Sequence, residues 1–176
     1  MTPRFLPAFA AAATLLTGAA QGEDTPPQIV NPVGYWAQYE KIIQVDVPLR
    51  GTLREVYIDS ISGRLARLTG KLPYGSKIVM RDFKAAPDGK GGWLIRNGQF
   101  VPGEPTGVLV QEKERGWGAG HPDSIRNGEW DYAVYTPQGQ PIAINAEKSC
   151  MGCHQQVEST DYTFLVQNFF ANWMNR

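Results

Sequence analysis

The feature that most constrains this chain is the run Cys150-Met151-Gly152-Cys153-His154 near its end. The chain holds only two cysteines and two histidines, and three of these four residues lie in this run. C-x-x-C-H is the attachment pattern of c-type haem. Two thiols on one helical turn can each bond a vinyl group of the same porphyrin, and the next residue can give the iron an imidazole nitrogen. The motif therefore predicts one covalent haem c, bound by Cys150 and Cys153, with His154 as the iron ligand.

Other interpretations of these residues stay open at this point. A thioredoxin-like redox pair is one, although it would follow a strand and usually lacks the histidine. A structural zinc site needs four ligands, and only His121 and distant acidic residues remain to complete it. A structural disulfide is compatible with an exported chain but leaves the adjacent His154 without a role.

The N-terminal residues have the composition of a secretory signal peptide. Arg4 precedes an apolar run over residues 5–20, and the small residues Gly18, Ala19 and Ala20 offer a cleavage site. An uncleaved membrane anchor is the alternative, but the run is short and interrupted by glycine. We expect residues 1–20 to be removed, residues 21–34 to form an extended lead-in, and residues 35–176 to form a single periplasmic domain outside the membrane.

Charge and composition exclude several classes of protein. Seventeen basic residues balance seventeen acidic ones, so there is no electrostatic footprint for nucleic acid. The hydrophobic fraction of 42% is enough to build a core. Thirteen prolines and nineteen glycines favour many turns and short elements.

The pattern along the chain predicts an α+β fold, mainly an antiparallel sheet with a few helices. Alternating residues predict strands over 52–59, 77–84, 93–100, 107–113 and 129–135, with a Pro/Gly turn at 102–105 and a loop over 115–128. Apolar spacing predicts helices over 35–45, 60–68, 143–156 and 162–173. The second helix should begin at Asp59 or Ser60 and end at Gly70.

Three segments together resemble the cytochrome P460 family. The first is REVYID at 54–59, the second is NGEWDYAVY at 127–135, and the third is the C-x-x-C-H motif followed by TDYTF at 160–164. The resemblance extends from about residue 35 to the end of the chain. It implies a homodimeric, mostly antiparallel β-fold with one c-type haem, five-coordinate through the motif histidine.

Two activities occur in that family. Cytochromes P460 proper oxidise hydroxylamine, and a lysine makes an extra covalent bond to their haem. The related cytochromes c′-β lack this bond and bind nitric oxide and other diatomic molecules at an apolar, Phe-lined distal face. Here Met80 stands where the cross-linking lysine would be, between Lys77 and Lys84. We therefore expect a protein that binds nitric oxide or related small molecules, with hydroxylamine oxidation as the alternative.

Further residues are candidates for the haem site. Arg54 matches the family's strand arginine and could donate to a propionate or a bound ligand, or form a surface ion pair. Phe83, with Phe100 and Trp93, could line the distal face or pack in the core. His121 could bind a metal or relay a proton, but we expect it to be an ordinary loop residue on the surface.

We also expect a homodimer and a redox partner protein. A plain electron carrier would need a sixth iron ligand, and only Met174 follows the motif.

Overall fold

The computed structural model describes residue 29 and residues 38–164. The strands are β1 (Glu40–Val47), β2 (Thr52–Ile58), β3 (Lys77–Ala85), β4 (Ile95–Arg96), β5 (Gln99–Phe100), β6 (Pro102–Lys113), β7 (Trp130–Tyr135) and β8 (Pro141–Ile142). Six of them form an antiparallel sheet in the order β1-β2-β3-β6-β7-β8, and β4 and β5 form a separate hairpin. This confirms the predicted α+β class.

The helix α1 (Ser60–Thr69) connects β2 to β3 and has the ends expected from its sequence. The Asp59 side chain caps it by accepting a hydrogen bond of 2.8 Å from the Ser62 amide. Gly70 ends it with a φ of +72°, a left-handed conformation that costs glycine little. The other Asp59 oxygen accepts from the Lys77 amide at 3.0 Å, so one side chain joins the start of α1 to the start of β3.

The prediction of a helix over 35–45 is wrong where the structure describes it, because residues Glu40–Val47 form β1. Ile43 pairs with Val56 and Val45 pairs with Arg54 across the β1–β2 ladder. The helical spacing of the aromatic and aliphatic residues is overridden by this pairing, which aligns Ile43, Val45 and Val47 on one face of the sheet.

The predicted strand over 93–100 is divided by a turn. Asn97 and Gly98 both have positive φ, 53° and 79°, which is typical of the tight turn of a β-hairpin. Residues 102–105, predicted as a turn, belong instead to β6 and pair with the end of β3. Two register shifts beside Phe83 accommodate this pairing.

The motif lies in a helical segment over residues 147–160, later than the predicted helix over 143–156. It comprises a π-turn (Glu147–Met151), an α-turn (Gly152–His154) and a 3-10 segment (Gln155–Thr160). The predicted helix over 162–173 does not begin at Tyr162, whose φ is +57°, and residues 165–176 lie outside the described part.

The predicted signal peptide also lies outside the described part. Of the predicted lead-in only Ile29 is described: it is buried, and its carbonyl oxygen accepts a 2.6 Å hydrogen bond from the Tyr135 hydroxyl.

The two faces of the sheet bury different clusters. On one face, Val56, Ile78 and Tyr132 pack with α1 and with Met151 of the motif. On the other face, Tyr57, Val79 and Val110 pack together. Among the described helices, none is long and apolar enough to cross a membrane.

Candidate haem site

A cavity of about 900 Å³ lies between the first face of the sheet and the helical segment 147–160. The helical segment contributes Cys150, Cys153 and His154 to its wall. The strands contribute mostly aliphatic side chains, among them Ile43, Val45, Val56, Leu109 and Val134. These residues share a face because Val56 pairs with Ile43 and Met80, Met80 with Leu109, and Leu109 with Val134 across successive strands. The volume and the apolar lining are typical of a cofactor pocket.

His154 is oriented by a hydrogen bond from its inner ring nitrogen. Nδ1 lies 2.7 Å from the carbonyl oxygen of Tyr162, and a carbonyl can only accept, so Nδ1 carries the proton. Nε2 is then the nitrogen with a free lone pair, and no other described group bonds to it. Burial lowers the pKa of His154, opposed by the Tyr162 bond and assisted by the Arg54 charge. A neutral imidazole with a fixed tautomer is the form that ligates iron.

Two aromatic rings hold the plane of His154. The Tyr132 ring lies 4.8 Å from the imidazole, and the Phe164 ring lies 5.0 Å from it in an edge-on arrangement. Both rings also line the cavity.

A buried polar network connects the motif to the sheet. Gln111 Nε2 donates to the Tyr162 carbonyl at 3.0 Å and lies 3.3 Å from the Tyr132 hydroxyl. Asn127 Nδ2 donates to the same hydroxyl at 2.8 Å and to the Met151 carbonyl at 3.2 Å. Burial raises the pKa of Tyr132, so its phenol stays protonated. The network fixes the position of the C-x-x-C-H segment against β6 and β7.

The two cysteines are free thiols on the cavity wall. Cys153 is exposed, whereas Cys150 is half-buried, and burial raises the pKa of its thiol. Within the described residues there is no group of three or more His, Cys, Asp or Glu side chains that could hold a metal ion.

Arg54 and Asp82 form an ion pair on the cavity wall beside Met80. The Arg54 guanidinium makes a two-pronged ion pair with Asp82, with Nε–Oδ1 and Nη2–Oδ2 distances of 2.6 and 2.7 Å. Its remaining Nη1 lies 3.9 Å from the Met80 sulfur. The Asp82 hydrogen bond raises the pKa of Arg54, so the guanidinium stays charged. Asp82 is a site residue that sequence reasoning did not single out.

Phe83 lies away from this cavity. It packs with Leu53, Ala85 and Phe100 in a separate core cluster. Neither Phe100 nor the half-exposed Trp93 lines the cavity. The apolar wall is thus built from aliphatic strand residues rather than from these aromatic side chains.

The two flanking lysines also lie outside the cavity wall. Lys77 pairs with Glu112 on the far face of the sheet, and Lys84 pairs with Glu104 at the exposed end of β3.

His121 is less exposed than the surface loop residue that we expected. Its side chain is only 14% exposed, and Nε2 lies 3.3 Å from Asp131. It does not line the cavity.

The residues present fit a covalently attached c-type haem. Two free thiols, a neutral imidazole with an unengaged Nε2 and a large apolar cavity lie together. Five of the eight residues that the sequence offered for the haem site line this one cavity, namely Cys150, Cys153, His154, Arg54 and Met80, whereas Phe83, Phe100 and Trp93 do not. Sequence reasoning missed Gln111, Asp82 and the Tyr162 carbonyl, because only the register of distant strands and a left-handed turn bring them to the site.

Comparison with known proteins agrees with this chemistry. Residues 33–165 match the family model described as Cytochrome P460. A search of curated proteins found no match. The match covers more than half of the chain and includes every strand of the sheet and the C-x-x-C-H motif. The chain therefore belongs to the cytochrome P460 family and is a c-type haem protein.

Proposed function

We propose that this protein is a monohaem c-type cytochrome that binds nitric oxide or a related small nitrogen oxide at an open iron position. Cys150 and Cys153 would bond the porphyrin, and His154 Nε2 would be the iron ligand. A haem bound in this way supplies an iron with one free coordination position for a diatomic molecule. The observation that carries the proposal is the single oriented imidazole facing a cavity of mainly aliphatic side chains.

The cavity wall favours a small neutral ligand over water. Val56, Leu109 and Val134 offer no hydrogen-bond partner, so water or hydroxide placed against them would lose hydrogen bonds made in bulk solvent. A diatomic gas makes few hydrogen bonds in water, so moving it into the cavity costs little free energy.

Arg50 and Arg54 both line the cavity, and Asp82 holds the Arg54 guanidinium in place. Two donors of Arg54 take no part in that ion pair and would be available to a bound nitrogen oxide: Nη1, which lies 3.9 Å from the Met80 sulfur, and the second N–H of Nη2. Arg54 therefore favours ligands that develop negative charge.

Hydroxylamine oxidation is less well supported by this site. In the family that activity accompanies a lysine bonded to the porphyrin, and Met80 has no amine with which to form such a bond. Lys77 and Lys84 are both engaged in ion pairs and lie outside the cavity wall.

Electron transfer is a second candidate because Met80 lines the same cavity as His154. A thioether is a common sixth ligand of c-type electron carriers. Its sulfur lies next to the Arg54 guanidinium.

Gas titration of the reduced protein tests the proposal. We expect nitric oxide to change the ferrous absorption spectrum stoichiometrically, and hydroxylamine with an electron acceptor to give no turnover. His121→Ala, which alters the histidine outside the cavity, should behave as the wild type, whereas His154→Ala should lose the wild-type ferrous spectrum. A ferrous spectrum unaffected by nitric oxide would refute the proposal, and hydroxylamine turnover would favour the enzymatic alternative.

The proposal includes export to the periplasm, a homodimer and a redox partner protein. The signal-like composition of residues 1–20 supports export. Dimerisation and the redox partner rest on the family resemblance. Size-exclusion chromatography with light scattering checks the dimer directly.

A further inference from the structure

The carbonyl oxygen of Tyr162 accepts two hydrogen bonds. One comes from His154 Nδ1 at 2.7 Å and the other from Gln111 Nε2 at 3.0 Å. Gln111 lies on β6, opposite Tyr132 of β7, and is only 2% exposed. A carbonyl oxygen has two lone pairs, so both donors can bond to it at once.

Tyr162 is the main partner of the Gln111 amide. The second contact of Gln111, to the Tyr132 hydroxyl, is longer at 3.3 Å, and that hydroxyl already accepts from Asn127 at 2.8 Å. Burying the Gln111 amide costs free energy unless it forms a hydrogen bond. That cost is therefore offset chiefly by the bond to the Tyr162 carbonyl oxygen, which also orients His154.

The peptide that carries the Tyr162 carbonyl is held in place without help from Gln111. Its N–H, that of Thr163, donates to the Thr160 carbonyl at 3.2 Å, and the preceding peptide is fixed by the Tyr162 amide, which donates to the Val157 carbonyl at 3.0 Å. The neighbouring Asp161 also pairs with Lys113 at 2.7 Å. Asp161 and Tyr162 both have left-handed φ values, 56° and 57°, which non-glycine residues adopt only where surrounding contacts impose them. Loss of the Gln111 bond should therefore change the electron density on the oxygen rather than its position.

A second donor on this oxygen alters how His154 binds iron. A hydrogen bond from Nδ1–H makes the imidazole a stronger base and a stronger electron donor to the metal. The Gln111 amide draws electron density from the same oxygen, which weakens that oxygen as an acceptor for His154. Gln111 thus reduces the electron donation from the imidazole.

We propose that Gln111 is a positioning residue that, through the Tyr162 carbonyl, raises the reduction potential and weakens the iron–histidine bond. The inference rests on the proposed function, because it requires a haem ligated by His154.

Two substitutions of Gln111 test this, Gln111→Leu and Gln111→Met, because the flexible methionine can fill the site if leucine does not. The readouts are the reduction potential and the iron–histidine stretching frequency of the ferrous protein. We expect both variants to lower the potential and to raise the frequency. Gln44→Leu is the matched control, since Gln44 also donates to a backbone carbonyl, that of Phe100 at 2.8 Å, but lies outside the cavity wall.

The outcomes separate this inference from the proposed function. If the ferrous wild type shows no iron–histidine band, its iron is not five-coordinate through His154, and both proposals fail. If the wild type shows the band but neither quantity moves in the Gln111 variants, or both move the other way, only the role of Gln111 is refuted. A shift of equal size in Gln44→Leu would also overturn it, since it would show a general effect of altering the sheet.

Discussion

At the scale of single residues, the expectation that hydroxylamine is not oxidised depends on Met80. Met80 lines the cavity, and the resemblance to the family implies that a cross-linking lysine would stand at its position. A thioether is soft and apolar and has no nucleophilic amine, so the lysine–porphyrin bond of those enzymes cannot form there. The neighbouring lysines cannot substitute without breaking ion pairs to Glu104 or Glu112.

We predict that tryptic mapping finds haem only on the peptide that contains Cys150 and Cys153. Peptides that contain Lys77 and Lys84 should be recovered with unmodified masses. The ferrous spectrum should correspondingly lack the red-shifted band of the cross-linked enzymes. A second haem-linked peptide carrying either lysine would show that the cross-link forms at a different place on β3.

The ion pair beside Met80 predicts opposite effects of two substitutions. Arg54→Leu removes a positive charge from the cavity wall, which stabilises the ferric state and lowers the reduction potential. Asp82→Asn removes the negative charge and should raise it. The Arg54 and Asp82 side chains are 39% and 28% exposed, so we expect each shift to be about 1 kcal/mol or less. Potentiometric titration measures both.

The control for these two substitutions is Lys84→Leu, which breaks the ion pair between Lys84 and Glu104 at the exposed end of β3. It should leave the potential unchanged, since it alters a solvated pair outside the cavity wall. Shifts of the same sign in Arg54→Leu and Asp82→Asn would contradict the placement of these charges at the haem.

At the scale of elements, sequence analysis located β2, β3 and β7 from the alternation of apolar and polar residues, since successive side chains of a strand point to opposite faces. In the structure both faces of these strands contribute to buried clusters. β1 was predicted as a helix, since Trp36, Tyr39, Ile42 and Ile43 repeat at helical spacing. Residues 43–47 alternate apolar and polar, which is the pattern of a strand, and the pairing with β2 follows this alternation rather than the helical spacing.

Sequence analysis found the local part of the site but not the residues that strand pairing brings to it. The C-x-x-C-H motif is local and could be identified from the sequence alone. Asp82 and Gln111 reach the site through strand register, as Asp82 pairs with Arg54 and Gln111 with Tyr132. Phe83 lies on the opposite face because it is one residue from Asp82, and neighbouring strand residues point to opposite sides.

The junction of α1 and β3 gives a stability prediction. Asp59→Ala removes two hydrogen bonds, to the amides of Ser62 and Lys77. We expect a loss of about 1–2 kcal/mol in the free energy of unfolding. Asp59→Asn keeps one acceptor oxygen and should lose about half as much, as measured by urea denaturation.

The control for the Asp59 variants is Asp123→Ala. It removes an 89% exposed carboxylate that pairs with Arg126 and should cost close to nothing. Equal losses in Asp59→Ala and Asp123→Ala would contradict the capping role.

At the scale of the whole molecule, the C-x-x-C-H segment packs against the sheet and forms part of the core. Met151, between the two cysteines, is fully buried in the cluster that joins α1 to the sheet. The motif is therefore part of the core as well as of the site, and haem attachment should stabilise the fold by linkage.

We predict that the intact mass of the mature protein corresponds to one added haem and the loss of residues 1–20. A Cys150→Ala, Cys153→Ala double variant should lose covalent haem, as judged by mass spectrometry and haem staining of denatured protein. Retention of covalent haem by that variant would mean that another residue attaches the porphyrin.

The coordination state of the ferrous iron tests the central claim most directly. If His154 is the sole protein ligand, the ferrous absorption and resonance Raman spectra should be those of five-coordinate high-spin haem. Met80→Leu, which keeps an apolar side chain on the wall, should leave these spectra unchanged. A six-coordinate low-spin spectrum that becomes five-coordinate in Met80→Leu would show that Met80 ligates the iron, and the protein would then be an electron carrier rather than a binder of nitric oxide.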